Sequence, residues 1–134
     1  MIRLVQLLNE KNHFLEKFYS LNEAQIARLE AGLFDQIEGF YNQREDLLKI
    51  IKYIDAEVQK AHGLHKEMAG TFAEDEKIEI RSALRSKEAF VARILEQDII
   101  VLGLIDEAKS QIIRELKDVT RARKALSGYK ANVA

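Results

Sequence analysis

The chain has 134 residues, with 21 basic and 22 acidic side chains, no proline and no cysteine. That balance gives no bulk electrostatic case for nucleic acid or an anionic membrane, and without cysteine neither disulfides nor thiol chemistry is available. The mixture is rich in leucine, isoleucine, alanine, glutamate, lysine and arginine, as in long helices and coiled coils, so one all-α domain is expected.

A first helix is predicted over 2–30, with Leu4, Leu8, Leu15, Phe18 and Leu29 on one stripe and Leu7, Phe14 and Leu21 beside it. Ser20 and Glu23 have the spacing of a capping box, but the apolar phase runs through them, which predicts continuation. The helix should close at Ala31-Gly32, where glycine can take the left-handed conformation. Asp35 with Glu38 is a second capping box and predicts a helix over 35–68, whose seam is Ile37, Phe40, Arg44, Leu47, Ile51, Ile54, Val58, Ala61, His65 and Met68. So short a link makes helices one and two an antiparallel hairpin.

Gly70 is a plausible terminator, and Thr71 with Glu74 opens a third helix whose acidic first turn suits the positive end of the helix dipole. This helix is predicted over 74–126, folding back along the second, with 127–134 left as a mobile tail. Steps of seven give Leu84, Val91, Asp98, Ile105, Ile112, Val119 and Leu126, with Ile80, Ile94, Val101, Ala108 and Ala122 as companions. That is a coiled-coil seam. The expected architecture is therefore an antiparallel hairpin plus a longer third helix in a coiled-coil-like bundle. The third helix exceeds its partners by about twenty residues, so it should overhang by roughly 30 Å. The functional surface is expected there.

Three features of the third helix exceed what a plain hairpin needs. Ile99, Ile100 and Ile113 are apolar outside the seam, and Asp98 is polar within it, where such a residue fixes register or partner. Gly103 weakens the helix by about 1 kcal/mol relative to alanine, a loss that close approach of another backbone would offset. Burial against the chain's own first helix or a second copy, and a groove for a partner helix, both account for these features. The segment 109–130 holds seven basic residues and two acidic ones. It reads either as a solvated face suiting the helix dipole or as a docking surface for an acidic partner.

Catalytic chemistry is thinly represented. Glu10 and His13 have the Glu-x-x-His spacing of di-iron bundles, but a second such motif is missing. His62 and His65 lack an indicated further ligand. No nucleophile motif, phosphate-binding glycine loop or carboxylate pair stands out, so neither an enzyme, a metal nor a cofactor is expected. The start of the chain turns polar before an apolar core of signal-peptide length develops, and the longest apolar run, 99–105, is too short for a membrane span. A soluble cytoplasmic protein is the expectation.

The hairpin turn Leu29-Glu-Ala-Gly32-Leu33-Phe-Asp35-Gln-Ile37, the following Gln43-Arg44-Glu45-Asp-Leu47-Leu48, the mid-helix Ile94-Leu-Glu-Gln-Asp98 and the terminal Leu126-Ser-Gly-Tyr129 together resemble the FlgN-type flagellar export chaperones. The resemblance spans nearly the whole chain. It implies a cytoplasmic chaperone that binds the C-terminal helices of hook-associated proteins, keeps them soluble and unassembled, and delivers them to the export apparatus. In that family the client surface is C-terminal. This points to Ile105, Ile112, Ile113, Leu116, Val119, Leu126 and Tyr129 as the binding set, with Ile99 as a further candidate, and to Arg114, Lys117, Arg121 and Lys124 as residues that steer an acidic client helix. The alternative is a structural coiled-coil protein that homo-oligomerises through its long third helix.

Overall fold

The computed structural model describes residues 2–67 and 72–133, with side chains for 3–66 and 72–128. It holds three helices, α1 (Ile2–Glu30), α2 (Ile37–Glu67) and α3 (Glu74–Val133), and no strand among the described residues. The fold is all-α. At 1.5 Å per residue, the 60 residues of α3 extend about 90 Å, against about 45 Å for either partner.

The end of α1 follows from one glycine. Gly32 has φ 76°, its N–H donates to the Leu29 carbonyl at 3.0 Å, and the Leu33 N–H donates to the Arg28 carbonyl at 2.9 Å. These paired bonds are the Schellman closure that a left-handed residue permits. The expected cap of α2 is corrected: Asp35 is held by Arg28 at 2.9 Å, and the Gln36 carbonyl takes the first helical bond, from Phe40 N–H. The helix consequently starts at Ile37. Met68, Gly70 and Thr71, to which a helix end, a terminator and a cap were assigned, lie outside the described residues.

Contacts fix the directions. Lys11 pairs with Asp55 and Arg28 with Asp35, so α2 runs antiparallel to α1. Asn12 donates to the Ala83 carbonyl, Gln97 to the Tyr19 carbonyl and Asn22 to Asp98, so α3 runs parallel to α1. The third helix folds back antiparallel to α2, and its backbone runs closest to α1. The backbone of α1 approaches both neighbours, whereas α2 and α3 meet mostly through side chains. The cause is the shape of the α1 stripe, where Leu4, Leu8, Leu15, Phe18 and Leu29 are all buried and serve both neighbours at once.

The core has three segments. Leu4, Leu7, Leu8, Ile54, Ala61 and Ala83 fill the end near the α2–α3 connection, Leu15, Phe18 and Ile94 the middle, and Leu29, Phe40, Val101, Ile105 and Ala108 the end near the hairpin turn. Between the middle and the hairpin end lies a polar layer. Asp98 accepts from Asn22 at 2.9 Å and from Arg44 at 3.0 Å, while the Arg44 guanidinium lies 5.3 Å from the centre of the Phe18 ring. One carboxylate thus ties all three helices together. A shift by one turn would leave the half-buried Asp98 and the buried Asn22 without these partners, so the layer sets the register.

Candidate partner-binding surface

The register decides where α3 leaves its partners. Leu29 and Phe40 stand at the end of the hairpin, and with them Val101, Ile105 and Ala108 are buried. The Lys109 ammonium lies 5.8 Å from the centre of the Tyr41 ring. Beyond it, every described side chain from residue 110 to 128 is exposed. The helix continues to Val133, so residues 109–133 project for about 37 Å. The mobile tail expected over 127–134 is corrected, since α3 runs through Ser127 and Gly128. Gly128 does not adopt positive φ, and without a left-handed residue the chain simply continues its turns.

The projection presents the same seam that the bundle buries. Seven residues advance an α-helix by two turns less about 20°, so Ile105, Ile112, Val119 and Leu126 fall within an arc of about 60°. Ile105 is 0 % exposed, Ile112 37 % and Leu116 62 %. Ile105, expected to bind a partner, is therefore corrected to a core residue of the chain itself. Ile112, Ile113, Leu116, Val119 and Leu126 are all exposed. Ile113, Leu116, Lys117, Thr120 and Arg121 line a shallow depression. Tyr129 is within the helix, and its side chain lies outside those described.

Arg114, Lys117, Arg121 and Lys124 are exposed at spacings of three, four and three, which places them in a single stripe along the helix. None of the four enters an ion pair among the described residues. On the other side of the seam are Glu115, which accepts from Gln111 at 3.2 Å, and Asp118. At about 100° per residue, Lys117 and Lys124 flank the apolar row on one side and Glu115 and Asp118 on the other, whereas Arg114 and Arg121 lie on the face opposite Ile112.

Ile99 is 78 % exposed, and Ile100 is exposed as well, on the part of α3 that the hairpin accompanies. Gly103, expected to admit a close backbone, meets nothing within 4 Å of where a Cβ would stand. The structure also exposes Val91 and Leu95, beside a groove that Lys11, Lys87, Glu88 and Ala92 help to line. Periodicity places Val91 in the seam and Leu95 at its edge, yet both are exposed where the α3 backbone runs closest to α1.

His65 stacks on Phe72 with ring centres 3.9 Å apart, and no group of three or more histidines and carboxylates able to hold a metal occurs among the described residues. None of the described helices is long and apolar enough to cross a membrane. No family model matches this chain, and neither a curated protein nor a solved structure is significantly similar to it.

Proposed function

We propose that this protein is an export chaperone of the FlgN type, acting in the cytoplasm by binding rather than by catalysis. Its clients on this reading are the hook-associated proteins, whose C-terminal helices it would cover until the export apparatus receives them. The observation that carries the reading is the uncovered seam. A heptad pattern that buries Ile105 completely goes on through Ile112, Val119 and Leu126, which are exposed among the described residues. Aqueous exposure of five large apolar side chains in one row is a standing opportunity for a partner helix, which would gain about 1 to 2 kcal/mol per well-buried anchor. The motifs at the Gly32 turn, at Arg44 to Leu48 and at Ile94 to Asp98 supply the link to flagellar export.

The test is capture of a purified hook-associated protein by the wild-type chain and by the double variant Ile112→Asp, Leu116→Asp. Binding by the wild type and a loss of at least about a hundredfold in the variant, with unchanged helical content, is the expected result. Equal capture by both chains would contradict the assignment of the surface. Absence of capture by the wild type would contradict the function.

A further inference from the structure

The apolar row alone does not choose among a second copy of the chain, a membrane and another protein's helix. Charge and shape do. Residues 109–134 contain seven basic and two acidic side chains, which leaves 14 basic and 20 acidic in the preceding 108. A copy laid alongside in the same direction would need the space on the seam side of α3 below residue 108. That space already holds α1 and α2. A copy laid in the opposite direction avoids the clash, because each hairpin then lies beyond the other's tip. It also brings two basic segments together, with Arg123 close to the seam on both, so like charges face each other along the contact.

An anionic bilayer fits no better. A flat surface meets both flanks of an amphipathic helix at once, and here one flank carries Lys117 and Lys124 while the other carries Glu115 and Asp118. A helix lying in the seam meets each flank separately. Unpaired cations on one side ask for carboxylates there, and the two acids on the other side ask for none.

We infer that the seam of residues 109–133 accepts one amphipathic helix of another protein, bound in a 1:1 complex, with acidic residues along the flank that meets Lys117 and Lys124. The inference rests on reading this surface as a helix-binding site and gives the charge pattern of what it binds. At 1.5 Å per residue, the matching segment has about 25 residues and ends against the hairpin turn.

Two synthetic 25-residue amphipathic peptides test it directly. They share composition and a leucine and isoleucine seam; one has glutamates on the flank facing the basic stripe and lysines on the other, and the second has the flanks exchanged. Titrated against the full chain at low salt, the first should bind about tenfold tighter, as expected for a few exposed charge pairs turned from repulsion to attraction. The preference should shrink in 0.5 M salt. The double variant Lys117→Glu, Lys124→Glu changes only exposed side chains and should reverse the order, whereas Arg121→Glu, on the opposite face, should leave it unchanged.

Equal affinity for the two peptides, binding of neither, stronger association with vesicles of phosphatidylglycerol and phosphatidylcholine, or dimers of the chain that exclude the peptide would each overturn the inference. Its failure is separable from that of the chaperone reading. Equal capture of a hook-associated protein by the wild type and the double variant would keep the chaperone and discard the charge pattern. Peptide discrimination without capture of such a client would do the reverse.

Discussion

Ile105 and Ile112 are the same residue type, one heptad apart on one helix, facing nearly the same direction. The first is 0 % exposed and packs with Leu29, Phe40 and Val101, whereas the second is 37 % exposed and has no neighbour outside its own helix among the buried clusters. The difference between bundle and projection therefore lies in the partners. Apolar periodicity says that a helix can be covered, and the length and register of its neighbours say whether it is. Here the hairpin stops at Gly32 and the seam does not.

Substitutions can sharpen or break this contrast. The largest effect is expected for Ile105→Asp, which buries a carboxylate in a filled core and should destabilise the fold by about 4 kcal/mol or more in denaturant titration. Comparable unfolding by Ile112→Asp would mean that the chain covers its own projection. Next comes Asp98→Leu, which strands Arg44 and Asn22. A loss of about 2 kcal/mol is expected, moderated because Arg44 keeps some access to water. Combining it with Asn22→Leu and Arg44→Leu should restore much of that stability while loosening the register, seen as broadened NMR resonances of the three helices.

A smaller effect of opposite sign is expected at Gly103, where an added Cβ meets open space within a continuous helix. Gly103→Ala should stabilise the protein by about 0.5 to 1 kcal/mol, and a destabilisation would reveal a close neighbour at that face. The smallest change in stability, under about 0.5 kcal/mol, is expected for Ile112→Asp with Leu116→Asp, since both sites are already wet. That variant should keep its thermal midpoint and lose its partner.

Much of this arrangement can be read from local signals in the sequence. Gly32 marks the end of α1, because a left-handed residue is needed for the paired bonds to Leu29 and Arg28. The length of the third apolar pattern announces a projection whatever the packing. Asp98 stands out as a polar residue in a seam, and its partners in the structure are Asn22 and Arg44 of the same chain.

What is not legible depends on contacts between distant residues. Nothing in the periodicity of α3 says that it runs closest to α1, which leaves Val91 and Leu95 exposed. The boundary of the projection is hidden for the same reason. Ile105 and Ile112 look alike in sequence, and only the register held by Asp98 puts Leu29 and Phe40 opposite the first. Ser127-Gly128 resembles a helix end, yet a glycine closes a helix only when it takes positive φ, and Gly128 does not.

On the proposed function, the seam beyond Ala108 is open in the free chain and closed by a client. With no native cysteine in the chain, single thiols can report on it without interference. The measurement is the rate of maleimide labelling of Ile105→Cys, Ile112→Cys and Leu116→Cys variants, across a range of protein concentrations and with or without a purified hook-associated protein. The account predicts slow labelling of the first variant, labelling of the other two at the rate of a free thiol at every concentration, and strong protection of those two when the client is added. Protection of Ile112→Cys and Leu116→Cys in the isolated chain, or labelling unchanged by the client, would contradict it.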